Sequence, residues 1–141
     1  MIEFDSVFFD TSPFIYLIEN NSNYSSTVAN FIADQSINEI LLTTSVITIS
    51  EFQVNPKKLN ILKPIEDLNR LIDQLSIQIF DITLEIAELS ASLRAKYNFL
   101  KSIDAFQLAT ALNHSCKSFV SNDFKLKKIE EINIIMIDDL K

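Results

Sequence analysis

The chain has 141 residues, 48% of them hydrophobic, which suits one compact domain with a substantial core. Its net charge of −7 argues against a general basic surface for nucleic acid, but not against an enzyme whose metal supplies positive charge inside an acidic pocket. Glycine is absent, which excludes phosphate-binding loops of the P-loop and dinucleotide-binding types.

Nothing in the sequence predicts export or membrane insertion. No apolar run approaches the roughly 20 residues of a membrane span. Residues 1–5 lack the basic start of a secretory signal peptide, and the single cysteine, Cys116, allows no internal disulfide. We therefore expect a cytoplasmic protein that does not associate with a membrane.

Short β-branched or aromatic runs alternate with longer stretches of helical periodicity. The predicted elements follow in this order: strand 7–10, helix 13–19, helix 25–37, strand 40–43, helix 45–54, helix 64–75, strand 77–82, helix 84–97, helix 103–114, strand 118–121, short helix 124–129 and strand 134–137. Because apolar strands alternate with helices, we expect an α/β fold with three α/β/α layers and a mainly parallel central sheet. No linker or repeat interrupts the pattern, so residues 1–141 are predicted to form a single domain.

Three helix starts are predicted from capping residues. Ser12 is the expected N-cap of the first helix, with Pro13 in the first helical position. Ser102 is the expected cap of helix 103–114. Segment 45–54 is ambiguous because its β-branched residues favour a strand, but its length and the cap-like Thr44-Ser45 favour a helix.

Four acidic residues stand within or beside apolar segments: Asp10, Glu51, Asp104 and Asp123. Acids in such surroundings pair with cations, cap helices or bind metal. Few basic residues are adjacent to them in sequence, which favours a shared divalent metal. Ligands of open parallel sheets bind beyond the carboxyl ends of the strands, where Asp10 and Asp123 are expected. Each acid also has a simpler interpretation, as a helix cap, a turn residue or a solvated side chain.

Four segments of the chain resemble the PIN domain, in particular the toxin half of bacterial VapBC toxin–antitoxin pairs. They cover residues 7–17, 44–52, 87–97 leading into 100–111, and 119–123, and each contains one of the four acids. The chain differs from the family pattern on both sides of its fourth acid. Ser121 replaces the commoner threonine, and Phe124 follows Asp123 without the extra residue or two that is frequent there.

The resemblance implies an endoribonuclease that depends on Mg²⁺ or Mn²⁺. It assigns metal binding and catalysis to Asp10, Glu51, Asp104 and Asp123. Thr11 and Ser121 would orient carboxylates, a water molecule or a substrate phosphate, and Arg94 would reach a phosphate or brace the site unless it forms a surface ion pair. The partners implied are an RNA substrate, a cognate antitoxin and a second copy of the chain in a homodimer.

Two other functions are compatible with parts of the sequence. A catalytically inactive PIN-like module would bind RNA or protein without cleaving it. A haloacid-dehalogenase-like phosphatase would also place an aspartate after the first strand, but Ser12 stands where that mechanism needs a second aspartate. A ribonuclease of the two-histidine type is disfavoured because His114 is the only histidine. RNA cleavage that requires a divalent metal would separate these alternatives.

Overall fold

A computed structural model describes residues 5–141, so the first four residues of the predicted domain lie outside the described part of the chain. Five parallel strands form one sheet in the order β3-β2-β1-β4-β5. The strands are β1 (Ser6–Phe9), β2 (Leu41–Ser45), β3 (Gln78–Phe80), β4 (Ser118–Ser121) and β5 (Asn133–Met136). Every pairing is parallel, which confirms the predicted sheet.

Six α-helices connect and cover the strands within residues 5–141: α1 (Thr11–Ile18), α2 (Ser25–Ile37), α3 (Val46–Leu59), α4 (Lys63–Leu75), α5 (Leu84–Lys96) and α6 (Ser102–Asn113). Short 3-10 helices follow β4 and β5, at Phe124–Lys128 and Ile137–Leu140. None of the helices in the described residues has the length and apolar character needed to span a lipid bilayer.

The two faces of the sheet support separate hydrophobic cores. Alternate side chains of a strand point to opposite faces, so Phe8 packs in one core and Val7 and Phe9 pack in the other. The Phe8 core is covered by α5 and α6, whereas α1, α2 and α4 cover the second core. Helices on both faces of a parallel sheet confirm the three-layer α/β/α architecture.

Two of the three predicted caps differ from the structure. Helix α1 begins at Thr11, and its N-cap is Asp10 rather than Ser12. Helix α6 begins at Ser102, so that serine is the first helical residue and not the cap. The third prediction is confirmed, because the Ser45 hydroxyl accepts a hydrogen bond from the backbone N–H of Ile47 at the start of α3. The ambiguous segment is a helix and continues to Leu59.

Five of the six α-helices end at a residue in the left-handed backbone region or shortly before one, and no glycine is available to occupy it. The residues with positive φ are Asn20, Glu39, Asn60, Ser76 and Ser115, with φ between 52° and 59°. They lie directly at or after the ends of α1, α2, α3, α4 and α6. Glycine is the usual residue in this conformation, so asparagine, serine and glutamate perform its role in this chain.

Candidate functional site at the carboxyl ends of β1 and β4

The topology brings the first and last predicted acids to one edge of the sheet. Strands β1 and β4 are parallel neighbours in the middle of the sheet, so their carboxyl ends lie side by side. The ladder between them continues one residue beyond β1, where the Asp10 backbone N–H donates to the Val120 carbonyl at 2.9 Å. Asp123 follows two residues after the end of β4. This is the edge at which parallel sheets bind ligands.

Both carboxylate oxygens of Asp10 accept hydrogen bonds. Oδ1 accepts from the Thr11 backbone N–H at 2.9 Å, which caps α1, and Oδ2 accepts from the Ser121 hydroxyl at 2.9 Å. Asp10 is therefore a helix cap, as its simpler interpretation predicts, and also the link between β1 and β4. Each oxygen keeps a further lone pair for another partner.

Burial raises the pKa of the Asp10 carboxyl from 3.8 to about 6. The hydrogen bonds from Thr11 and Ser121 oppose this shift, whereas the negative charges of Asp104 and Glu51 add to it. A carboxyl that is partly removed from water and faced by like charges is destabilised in its ionised form. A bound cation would reverse that balance.

Asp104 couples the remaining acids electrostatically. Burial raises the pKa of the Asp104 carboxyl, and the charges of Asp123 and Glu51 raise it further. The ammonium groups of Lys101 and Lys125 act in the opposite direction. Together with the effects on Asp10, these interactions place the four predicted acids in one electrostatic cluster, which we call the acid cluster.

Glu51 joins the cluster through a threonine. The Thr11 hydroxyl donates to Glu51 Oε1 at 2.6 Å and lies 3.3 Å from Thr48 Oγ1. Thr11 has a single hydroxyl hydrogen and an ionised carboxylate can only accept, so the contact with Glu51 takes that hydrogen. Thr11 thus contacts Asp10 through its backbone and Glu51 through its side chain.

Ser121 connects the acids that flank the end of β4. Its hydroxyl accepts from the Asp123 backbone N–H at 3.2 Å while donating to Asp10. Asp123 Oδ1 accepts from the Lys125 backbone N–H at 3.1 Å and so caps the following 3-10 helix. The simpler interpretation of Asp123 as a turn residue therefore also describes part of what it does.

Gln107 is a buried polar residue whose contacts sequence reasoning missed. It lies one helical turn after Asp104 and is fully buried. Its amide nitrogen donates to Thr48 Oγ1 at 2.8 Å, and its amide oxygen accepts from the Ser45 hydroxyl. These bonds tie α6, which carries Asp104, to α3, which carries Glu51. The sequence feature that could have predicted a buried polar contact here is the single glutamine within the mostly apolar stretch 105–111.

In the described residues, no hydrogen bond or ion pair links Arg94 to the acid cluster. It lies on α5 and is exposed, and within residues 5–141 it forms no ion pair or hydrogen bond with an acid of the cluster. Its assignment to phosphate binding stays a prediction.

The donor set of the acid cluster consists of oxygen atoms, which suit a hard cation such as Mg²⁺ or Mn²⁺. In the part of the chain that the structure describes, no three His, Cys, Asp or Glu side chains are spaced to hold one metal ion together. Mg²⁺ commonly keeps several waters and binds one or two protein carboxylates. The cluster therefore fits an ion with few direct protein ligands rather than one enclosed by several carboxylates.

Comparisons with known structures show the same fold in toxin–antitoxin proteins. A toxin–antitoxin complex from Klebsiella pneumoniae is 26% identical, with a TM-score of 0.64 over 93% of this chain and 97% of that chain. VapBC2 from Rickettsia felis, bound to a promoter DNA fragment, is 16% identical with a TM-score of 0.79 over 93% and 98% of the two chains. The sarcin–ricin loop cleaving toxin VapC20 from Mycobacterium tuberculosis is 14% identical with a TM-score of 0.68 over 90% and 98%.

Sequence comparison assigns the family. None of the curated proteins matches the chain. The PIN domain model matches residues 7–132, from β1 to the segment just before β5, and so includes all four members of the acid cluster. The match spans most of the 141 residues and agrees with the resemblance of the four acidic segments. The chain belongs to the PIN domain family.

Proposed function

We propose that the protein, acting as a single domain, is an endoribonuclease that depends on Mg²⁺ or Mn²⁺ and serves as the toxin of a type II toxin–antitoxin pair. The observation that carries this proposal is the acid cluster, in which four acids of a PIN domain interact at the carboxyl ends of β1 and β4. The similarity to VapC20, which is described as a sarcin–ricin loop cleaving toxin, supports RNA as the substrate class.

In this proposal Asp10, Glu51, Asp104 and Asp123 hold the metal, directly or through water. The bound ion would activate a water molecule and stabilise negative charge on the scissile phosphate. Ser121 keeps the Asp10 carboxylate in position, and Thr11 does the same for Glu51. The cluster admits an anionic phosphate only once the ion has offset its negative charge.

The two competing functions have less support. A haloacid-dehalogenase-like mechanism needs an acid two residues after Asp10, but that position carries Ser12, whose buried hydroxyl has no hydrogen-bond partner. An inactive binding module has no need of acids that raise one another's pKa, as Asp104 and Glu51 do for Asp10 and as Asp123 and Glu51 do for Asp104. Metal-dependent cleavage distinguishes the proposal from both.

The purified protein is expected to cleave RNA in Mg²⁺ or Mn²⁺ and to lose this activity in EDTA, because the acid cluster alone would repel the phosphate. Cleavage is measured on a 5′-labelled RNA, and excess Mg²⁺ should restore it after chelation. A mock purification from cells that lack the gene controls for contaminating nucleases. Activity that persists unchanged in EDTA would rule out the metal mechanism.

An apolar groove between α1, α2 and α4 supports the proposed antitoxin partner. The groove is lined by one polar residue, Ser36, and by the apolar residues Leu17, Ala29, Ile32, Ala33, Ile37, Leu71 and Leu75. Ile37, which is 78% exposed, extends this apolar surface, and a contiguous exposed apolar surface marks a partner site more often than a single exposed side chain does. The similar protein from Klebsiella pneumoniae is described as a toxin–antitoxin complex. We propose that an apolar antitoxin segment fills the groove and that a basic side chain beyond it reaches the acid cluster.

Replacing Ala33 with arginine is expected to weaken antitoxin binding at least about tenfold, because the substitution places a charge in the apolar groove and a desolvated charge is costly. RNA cleavage by the free protein should not change. Co-expression rescue of growth and calorimetric titration with the antitoxin measure the effect. The matched control is Ala91→Arg, at an exposed position of α5 on the other face of the sheet. Equal loss of binding in both variants would place the antitoxin elsewhere.

A further inference from the structure

Two exposed apolar side chains adjoin the acid cluster, one on each of the elements that carry its last two acids. Phe124 is 57% exposed and directly follows Asp123, and Ile103 is 40% exposed and directly precedes Asp104. Lys101 occupies the N-cap position of α6, and the Lys125 backbone is 3.1 Å from the Asp123 carboxylate. We call Lys101, Ile103, Phe124 and Lys125 the rim.

The position of the Phe124 ring is set by the turn that also positions Asp123. The Asp123 side chain caps this 3-10 helix, and Leu126 anchors it by lying almost completely buried. Lys127 Nζ lies 5.3 Å from the centre of the Phe124 ring and also pairs with Asp139 at 3.1 Å. The ring is therefore presented from a tethered turn rather than from a loose loop.

The charges of the rim are opposite to those of the cluster beside it. Lys101 and Lys125 are both close enough to Asp104 to lower the pKa of its carboxyl. Two cations, an exposed aromatic ring and an aliphatic side chain thus lie within three residues in sequence of Asp104 or Asp123. Cations with an adjacent aromatic surface are the features by which proteins bind single-stranded nucleic acid.

We propose that the rim binds single-stranded RNA next to the cleaved bond, with an unpaired base stacked on Phe124 and flanking phosphates contacted by Lys101 and Lys125. This inference rests on the proposed nuclease function and assigns the residues that hold the RNA beside the acid cluster. Stacking requires a base that is free of its neighbours in a duplex, so a fully paired duplex would not engage the Phe124 ring.

The test measures binding of a labelled single-stranded RNA by fluorescence anisotropy, in Mg²⁺ and in the Asp10→Asn background to prevent cleavage. Phe124→Ala is expected to weaken binding about tenfold, within the range for loss of one stacked base, and Phe124→Trp should retain it. A 2-aminopurine base in the RNA should be quenched by the protein with Phe124 and not by Phe124→Ala. A fully paired duplex of the same sequence should bind weakly and without dependence on Phe124.

Leu84→Ala is the matched control, because Leu84 is 75% exposed at the start of α5 and adjoins none of the four acids in sequence. Lys101→Gln and Lys125→Gln should each lower the slope of log K against log salt by about 0.7. Lys117→Gln, at the opposite edge of the sheet, should leave the slope unchanged.

Unchanged binding of single-stranded RNA by Phe124→Ala would overturn the inference. Loss of antitoxin binding in that variant, with RNA binding intact, would overturn it as well and assign the rim to a protein partner. The proposed nuclease function is judged separately, by cleavage with the natural Asp10. If the protein does not cleave RNA but its RNA binding depends on Phe124, the nuclease proposal fails and the assignment of the rim stands. If Phe124→Ala cleaves and binds RNA normally, the nuclease proposal stands and the assignment of the rim fails.

Discussion

Asp10→Asn is expected to reduce metal-dependent RNA cleavage by at least about a hundredfold, since loss of partners outside the direct ligands already costs metal sites about 10- to 100-fold. The substitution removes the charge and keeps the shape. Asparagine caps helices as well as aspartate, so its carbonyl oxygen can still accept from the Thr11 backbone N–H. The fold should therefore survive the change, which circular dichroism and a cooperative melting transition would check.

Asp67→Asn is the matched control for that experiment. Asp67 lies on α4, outside the acid cluster, and pairs with Lys63 and Arg70. The same chemical substitution there should leave cleavage within about twofold of the natural protein, because surface ion pairs contribute little. Retention of most of the activity by Asp10→Asn would exclude Asp10 from the metal site.

The metal-free protein is expected to become less stable, relative to Asp10→Asn, as the pH rises from about 4 to about 6. The Asp10 carboxyl has a pKa of about 6 in the folded protein and about 3.8 when unfolded, so the folded state binds more protons between these values. Stability from this group is fully present below pH 4 and is lost as the pH passes through 6. The full shift corresponds to at most about 3 kcal/mol.

The asparagine variant isolates this effect from other groups. Asp67 and Glu131 have lowered pKa values, through hydrogen bonds from Lys63 and Tyr97, and so stabilise the protein as the pH rises. Because both forms of the protein share these groups, their contributions cancel in the difference between the free energies of unfolding. Chemical denaturation in EDTA at several pH values measures that difference. At pH 7 the metal-free variant should be the more stable of the two.

Adding Mg²⁺ should reverse the order. Saturation at a hundred times the dissociation constant stabilises a folded protein by about 2.7 kcal/mol, and the variant should gain much less. The charge-removing control Asp67→Asn should respond to Mg²⁺ like the natural protein. If metal-free Asp10→Asn is clearly less stable than the natural protein at pH 7, Asp10 serves chiefly as a structural cap. Charge repulsion would then not be the dominant effect of Asp10 on the free energy of unfolding.

The order of elements could be predicted from the sequence because the apolar runs are local. The strand at 118–121 and the helix at 25–37 have the predicted bounds. Placing Asp10 and Asp123 at one edge of the sheet needed only the alternation of strands and helices. The start of α1 was predicted wrongly, since Ser12 before Pro13 has the usual pattern of a cap, whereas the structure uses Asp10 two residues earlier.

The contacts inside the site depend on residues far apart in sequence. Gln107 meets Ser45 and Thr48 across 62 and 59 residues, and no local pattern pairs them. Lys101 is only three residues before Asp104 in the sequence, whereas Lys125, 21 residues away, comes near Asp104 only through the fold. Tertiary structure decides such contacts, so a single sequence leaves them open.

The left-handed residues near the helix ends affect the free energy of folding of a chain that has no glycine. Asn20, Glu39, Asn60, Ser76 and Ser115 hold positive φ angles that favour glycine. Left-handed geometry costs an ordinary residue about 1 to 2 kcal/mol, and less for asparagine. A glycine-free chain, however, samples fewer backbone conformations when unfolded, which returns about 0.4 to 1 kcal/mol at each position where glycine would otherwise stand. A restricted unfolded ensemble thus offsets part of the strain at the helix ends.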